Sequence, residues 1–254
     1  MLSLTERHQL ILQKLHQEGH VKVVDLCKTL DVSSVTIRKD LKLLEEKGLL
    51  FRNHGGAMQH NPYAADRPVN EKEKINSDEK SRIAQKAADM IVPNDCILIA
   101  SGTTVQYFAK HIHPNFHFTV LTASLNVAQI LNTHPEIEVL QLGGVLRKSS
   151  SSVTGFYAEK ILEDFACSKL FLGVDGIDLE FGLSTTNTLE AHLNRKMIQC
   201  AQKTILLADS SKFGKRGYGR ICGIEEIDQI ITDKNISQHQ KDSLLEMGIE
   251  LTIV

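Results

Sequence analysis

The chain has no uninterrupted apolar run long enough to cross a membrane as a helix, and its N-terminus lacks the apolar segment of a secretory signal. Those absences set aside a helical membrane protein and a secreted one and predict a cytoplasmic protein. Cysteine is sparse: Cys27, Cys96, Cys167, Cys200 and Cys222 are scattered, odd in number and never arranged as Cys-x-x-Cys. That pattern argues against a disulfide framework or a zinc site and for reduced thiols, mostly in core positions. Internal repeats and low-complexity tracts are missing too. The histidines of His111-Ile-His113-Pro-Asn-Phe-His117, like His8, His16 and His20, read as polar positions on helices and turns rather than as metal ligands. No metal, cofactor or catalytic residue is expected.

What remains is a 254-residue chain, 42% hydrophobic, with room for one small and one medium domain. Neither sign of charge dominates: the net charge is −2. Up to Met58, nine Lys and Arg face seven Asp and Glu, a surplus of two. A bias that small is compatible with binding nucleic acid without establishing it.

The first 58 residues carry the clearest pattern. Thr5 is placed to cap a helix running to Glu18, with Ile11, Leu12 and Leu15 at helical spacing and Gly19 as its stop. Val21 to Leu30 reads as a second helix burying Val24 and Leu30, and Asp31-Val32 as a turn. Ser33 then caps a third helix with Ile37, Leu41 and Leu44 on its core stripe. Ser33, Ser34, Val35 and Thr36 are short side chains at its N-terminal end, where close approach to base edges is possible, and Arg38, Lys39 and Lys42 suit phosphates. After Gly48, Arg52 and His54 precede a glycine turn at Gly55-Gly56, the layout of a wing beside a recognition helix, and are placed to touch the flanking DNA backbone. Double-stranded operator DNA is the expected partner.

Residues 59–75, with Pro62 and Pro68, read as a linker, and residues 76–254 as a second domain opening with a helix at Asn76-Ser-Asp-Glu79. Apolar runs at 96–100, 118–122, 138–142, 170–174, 204–208 and 229–232 alternate with amphipathic segments. Such alternation predicts an α/β domain with a mostly parallel, Rossmann-like sheet covered on both faces. In such sheets the loops at the carboxyl ends of the strands gather into a ligand site. Here they contain Ser101-Gly102-Thr103-Thr104, Ser124, Gly143-Gly144, Asp175-Gly176-Ile177-Asp178 and Lys212. Hydroxyls, glycines and helix-start amides suit an anion such as phosphate. Arg147 and Lys212 are placed to balance its charge, and Asp175, Asp178 and Glu190 to accept from sugar hydroxyls. The basic glycine cluster Lys212–Arg220 reads as a rim to that site, with Lys215 and Arg216 in a solvated loop.

The residues also support a family resemblance. Arg7, Ile11, Leu15, Ser33 and Thr36-Ile-Arg-Lys-Asp-Leu41, with the wing Arg52-Asn-His-Gly-Gly-Ala57, resemble the DeoR family of bacterial transcriptional regulators. Lys39 stands where an arginine is usual, which keeps the charge and loses the bidentate fork. Ser101-Gly-Thr-Thr104, Leu142-Gly-Gly144, Gly173-Val-Asp-Gly-Ile-Asp178, Gly182-Leu-Ser-Thr-Thr186 and Ala208-Asp-Ser-Ser-Lys-Phe-Gly214 are similar to that family's sensor domain. Ala100 and Ala123 depart from it, standing where Asp and Asn are common. The resemblance implies a winged helix-turn-helix joined to a sensor domain of the sugar-phosphate-isomerase type. It adds Arg7 to the DNA-contacting set and Thr185 to the effector-binding set. It also implies a homodimer or homotetramer that represses a carbohydrate operon until a phosphorylated sugar or polyol binds.

Two other readings stand beside it, an isomerase-like enzyme with an appended DNA-binding module and a DNA binder whose second domain only oligomerises. Alignment with the isomerase pattern puts Arg195 at the position of its glutamate base and Thr186 at that of its lysine, and arginine stays protonated at neutral pH.

Overall fold

The computed structural model describes residues 3–18, 20–47, 49–53, 55–58 and 69–254. The chain divides into two compact units, Met1–Ala65 and Asp66–Val254.

The first unit runs α1 (Leu4–Glu18), β1 (His20–Lys22), α2 (Val23–Leu30), α3 (Ser34–Glu46), β2 (Phe51–Asn53) and β3 (Gly56–Met58). Its cap lies two residues earlier than expected: Ser3 Oγ accepts from Glu6 N at 3.3 Å, and Glu6 Oε2 accepts from Ser3 N at 2.9 Å, a reciprocal pair that leaves Thr5 inside the helix. The expected second helix is corrected at its start. Val21 and Lys22 belong to β1, which pairs with the wing strand β3, and α2 begins at Val23. Its buried residues are then Val23, Leu26 and Leu30, so Val24 faces outward with 62% of its surface exposed. Asp31 ends α2 in the left-handed region, and Ser33 caps α3 by accepting from Thr36 N at 3.2 Å. Ile11, Leu15, Leu26, Ile37, Leu41 and Leu44 form the core. The wing crosses β1 closely: a Cβ on Gly56 would lie 2.0 Å from Val21 O, which only glycine avoids. Gly19, Gly48 and His54 fall outside the described residues.

One buried acid ties α1 to α3. Asp40 is bound by the Arg7 guanidinium through Nε and, at 2.9 Å, Nη2, and by His8 Nε2 at 3.3 Å. Arg7 is therefore corrected from a DNA-contacting residue to a structural one: its side chain is 11% exposed, and Asp40 raises its pKa.

The second unit opens with α4 (Val69–Glu73) and α5 (Ser77–Ala88). Residues 69–75, read as linker, are thus helix and turn within this unit. There follow β4 (Cys96–Ile99), α6 (Thr103–His111), β5 (Phe118–Thr122), α7 (Leu125–Leu131), β6 (Ile137–Gln141), the hairpin β7 (Val145–Arg147) and β8 (Ser152–Thr154), and α8 (Phe156–Leu162). Then come β9 (Cys167–Leu172), β10 (Gly176–Asp178), β11 (Gly182–Thr185), α9 (Thr188–Cys200), β12 (Ala201–Leu207), β13 (Gly219–Cys222), β14 (Gln229–Thr232), α10 (Gln238–Glu246) and β15 (Glu250–Ile253).

Among the described residues, the main sheet has seven strands in the order β15-β14-β12-β9-β4-β5-β6, all parallel. The period-two alternation of its strands splits the core into two layers. Ile97, Ile99, Val120, Phe171, Ile205 and Leu207 face α5 and α6, while Leu98, Leu121, Leu170, Leu172 and Leu206 face α8 and α9. All five cysteines are free thiols, and Cys167 and Cys222 are buried. The strand order reverses between β4 and β9, so their carboxyl ends diverge into opposite helical layers and leave a crevice. A smaller antiparallel sheet, β10-β11-β13, stands at the same edge.

Replacing Asp40 with alanine removes the carboxylate that Arg7 and His8 share between α1 and α3 and should cost about 3 kcal/mol of head stability. Denaturant unfolding of the variant followed by a probe in the first unit measures this, and a loss below 1 kcal/mol would reduce the clamp to a surface ion pair.

Candidate functional sites: a helical DNA face and a switch-point pocket

On α3 the residues expected to meet DNA share one face. Ser33, Ser34, Val35, Arg38, Lys39 and Lys42 are exposed and Thr36 is half-buried, while Ile37, Leu41 and Leu44 turn into the core. Arg38 and Lys39 make no ion pair among the described residues, and Lys42 is 3.9 Å from Glu46, a loose exposed contact. Arg52 is less free. Its Nε meets Glu45 Oε2 at 2.7 Å and its amide donates to Glu45 Oε1 at 2.8 Å, an arrangement that fixes the wing against α3 and lowers the Glu45 pKa.

The second site lies at the crevice. After β4 the chain turns through Ser101 and Gly102 into α6, whose first residues Thr103 and Thr104 carry amides left unpaired by the helix start. Gly102 (φ 125°) caps it in a conformation that favours glycine. After β9, Gly173 passes so close that a Cβ would lie 3.3 Å from Ser101 O. The pocket between these turns is lined by Ser101, Gly102, Thr103, Thr104, Asp175, Thr185, Glu190 and Lys212, all expected from the sequence. Val69, Lys72, Ser149, Ser150, Gly173 and Val174 also line it.

Its charges are arranged in pairs. Asp175 accepts from Lys72 Nζ at 2.9 Å, Thr185 Oγ1 at 3.1 Å and Thr186 N at 3.3 Å. Burial opposes its ionisation, but Lys72 and Lys212 outweigh burial and hold its pKa below the usual carboxylate value. Glu190, at the third position of α9, accepts from Ser101 Oγ at 2.7 Å and is bound by the Arg147 guanidinium. Lys212 sits on a short 3-10 turn, Ser210–Lys212, that is pinned on both sides. Asp209 accepts from Ser211 N at 3.1 Å and Asn76 Nδ2 at 2.8 Å, and Asp233 accepts from Ser210 N at 2.6 Å. Behind it Lys80, 2% exposed, donates to the carbonyls of Lys72 at 2.6 Å and Ile75 at 2.5 Å.

Several expectations for this site are corrected. Arg147 does not line the pocket, because Glu190 and Ser149 hold its guanidinium. Asp178 lies elsewhere. The run Asp175–Asp178 was read as one loop but contains strand β10, and three extended residues carry Asp178 about 10 Å away. There it accepts from Arg216 Nε at 2.7 Å and from the amides of Phe181 and Glu180. Burial opposes its charge and these donors overcome it, so its pKa is lowered. Arg216 lies in an irregular loop as expected, its side chain 39% exposed, and there it pairs with Asp178. Gly176 packs under that crossing, where a Cβ would be 2.5 Å from Lys215 O. Gly143 and Gly144 form the bend into β7 and are not among the pocket's lining residues. Ser124 is buried as the cap of α7, accepting from Val127 N at 3.3 Å. Of the histidines, His111 is held by Tyr107 O and Ser81 Oγ, and His113 packs edge-on against His134.

Lys72 was missed because a five-residue helix shows no periodicity, and the prolines before it read as linker. Ser149 and Ser150 were missed because the β7–β8 hairpin that brings them in is stabilised by long-range contacts.

The chain matches two family models, the DeoR-like helix-turn-helix domain over residues 7–62 and the DeoR C terminal sensor domain over residues 75–234. It is 37% identical to the putative aga operon transcriptional repressor of Escherichia coli O157:H7, over 98% of this chain and 94% of that one. It is 34% identical to the transcriptional repressor GlcR of Bacillus subtilis (98% and 95%) and 32% identical to the L-fucose operon activator of Haemophilus influenzae (91% and 92%). Among solved structures, ribose 5-phosphate isomerase A from Neisseria gonorrhoeae is a distant likeness, with a TM-score of 0.40, 19% identity and 55% of each chain covered. Among the described residues no helix is long and apolar enough to cross a membrane.

Burial first, then the nearby Lys212 charge, lowers the Lys80 pKa from 10.5 to about 8. Between those two values the unfolded chain binds the extra proton and the folded chain does not, so this residue's contribution to stability rises as pH rises through that window. The stability of the unaltered protein minus that of Lys80→Met, measured by denaturant unfolding from pH 7 to 10, should climb above pH 8. A flat difference would show an unperturbed ammonium.

Proposed function

The chain belongs to the DeoR family of helix-turn-helix transcriptional regulators, and from that premise we propose that it represses a carbohydrate catabolic operon until a phosphorylated sugar or polyol fills the switch-point pocket. The observation that carries this reading is the pocket's lining: Lys72 and Lys212 beside Asp175, with Ser101, Thr103, Thr104, Ser149, Ser150 and Thr185 around them. Lysines and helix-start amides suit a phosphate, and clustered hydroxyls and carboxylates suit a polyhydroxylated body. The names of relatives, an aga operon repressor and an L-fucose operon activator among them, point to the same class of control. α3 enters the major groove, with Ser34, Val35 and Thr36 toward base edges and Arg38, Lys39 and Lys42 toward phosphates, and two or more heads of a symmetric homodimer or homotetramer engage repeated half-sites in the cytoplasm.

The chain is a regulator and not an isomerase. The residues at the proton-transfer positions have other work. Arg195 donates from Nε to Ile221 O at 2.7 Å and from Nη2 to Arg220 O at 3.0 Å, which fastens α9 to β13, and Thr186 N bonds Asp175.

Two outcomes are expected from mobility-shift and thermal-melt measurements on the full chain with the promoter beside its gene. Lys42→Ala should weaken operator and random DNA alike and flatten the dependence of log affinity on log salt by about 0.9, the effect of one lost phosphate contact. An unchanged slope would remove Lys42 from the interface. Lys212→Ala should keep operator binding and lose release by any sugar phosphate that stabilises the unaltered protein; at about 100 times its dissociation constant such a ligand adds about 2.7 kcal/mol. Retained release would take Lys212 out of the site.

A further inference from the structure

The hairpin that follows β6 has an edge that the chain leaves open. β8 lies inside, with Ser152, Val153 and Thr154 buried, and β7 is its outer strand. Among the described residues no other strand pairs with β7. The register shows which of its backbone groups face outward. Val153 N donates to Ala123 O at 2.9 Å, on the side of β8 away from β7. Val153 stands opposite Leu146, so these two exchange no hydrogen bonds, and the N–H and C=O of Leu146 point away from β8 toward solvent. Val145 and Arg147, opposite Thr154 and Ser152, direct theirs inward.

The surface beside this edge is apolar. Val145 is 67% exposed and Leu146 52%, and Phe156 and Tyr157 open α8 with 71% and 72% of their surfaces in water. Val145 lies opposite Thr154, and only Gly155 separates Thr154 from Phe156. The two rings meet edge to face with centroids 5.7 Å apart, so they form one ledge. Together they leave about 300 Å² uncovered. With Val145 and Leu146 the patch reaches about half of the area that each partner brings to a standard interface. Edge strands are usually protected by lysine, proline or a bulge. β7 is Val-Leu-Arg, and its one charge, Arg147, is neutralised by Glu190. An unpaired edge beside an apolar ledge is what a soluble monomer avoids.

We propose that β7 pairs antiparallel with β7 of a second copy of this chain, about a two-fold axis at Leu146. The shape of the edge selects that occupant. A three-residue strand offers the outward N–H and C=O of one residue, too little to hold a foreign strand. An identical copy returns the same donor, the same acceptor and the same ledge in one isologous contact. About that axis Leu146 exchanges both hydrogen bonds with Leu146 of the second copy, and the two hairpins join into a continuous β8-β7-β7-β8 ribbon. Lys148 then falls opposite Gly144 of the second copy, so like charges do not meet across the axis. The loop of the same hairpin supplies Ser149 and Ser150 to the pocket wall, so contact and pocket share one hairpin. This pairing rests on the symmetric oligomer proposed above and not on the identity of the pocket's ligand.

The test uses the full chain in analytical sedimentation and oxidative cross-linking. Leu146→Pro deletes the outward N–H and spares the β7–β8 ladder, since proline is tolerated where an edge N–H faces solvent. It should raise the dissociation constant of the assembly by about tenfold or more, the effect of two lost hydrogen bonds. Phe156→Glu combined with Tyr157→Glu should act in the same direction, and Leu245→Glu, on the exposed face of α10, should not. Leu146→Cys sets two thiols across the axis with Cα atoms about 5.5 Å apart, within disulfide reach. Mild oxidation with copper phenanthroline should link that variant into a covalent dimer and leave the unaltered chain and Leu245→Cys unlinked. Should the proline variant not fold, the cross-link decides. An assembly whose dissociation constant none of these substitutions changes, with Leu146→Cys left unlinked, overturns this pairing alone. A chain that sediments as a monomer at every concentration ends the oligomer reading and this pairing with it. Protection of the Leu146 amide from hydrogen exchange in that monomer would assign β7 to a segment of its own chain.

Discussion

A carboxylate taken out of water must be met by a cation or by several hydrogen-bond donors, and much of this molecule is arranged around that requirement. Asp40 holds Arg7 and so joins α1 to α3. Asp95 at the start of β4 holds Lys169 at 2.6 Å and Ser168 at 2.8 Å, which fastens β4 to β9, the two strands whose divergence opens the crevice. Asp178 holds Arg216, Glu190 holds Arg147, and Asp175 holds Lys72. Each pair crosses between elements far apart in the chain. Together they set which cations are tied to acids within the fold.

The consequence for the pocket is a division among its charges. Arg147 and Glu190 form a nearly enclosed pair that keeps Ser101 in place. Lys212 is presented on a turn held by Asp209, Asp233 and Asn76, and its charge acts on Asp175 without an ion pair of its own among the described residues. Lys72 alone joins the site through a short helix at its rim. The same residue types thus take three different roles, decided by how many other contacts restrain each one.

The strands were legible in the sequence because their signal is local. Six of the seven strands of the main sheet show as Val-, Ile- and Leu-rich runs, and parallel order follows from the helices between them. β15 escaped notice because an edge strand, half exposed at Leu251 and Thr252, carries little hydrophobic signal. The α3 stripe of Ile37, Leu41 and Leu44 and the Ser33 cap were equally readable, since both are set by spacing within one element. Val24 was misjudged because Val21 and Lys22 are strand rather than helix, and the stripe that the shorter α2 buries is Val23, Leu26 and Leu30.

What the chain determined by itself is therefore six strands of the main sheet, the helix α3 and the loops that follow those strands, all of which depend on neighbours within a few residues. The tertiary structure alone decided which charged residues are held in ion pairs within the fold. Arg7, Arg147, Asp178 and Arg216 looked no different from Lys42 or Lys212 in the sequence, because an ion pair's energy depends on a distance through space, and that distance is set only when the elements carrying the two charges have packed.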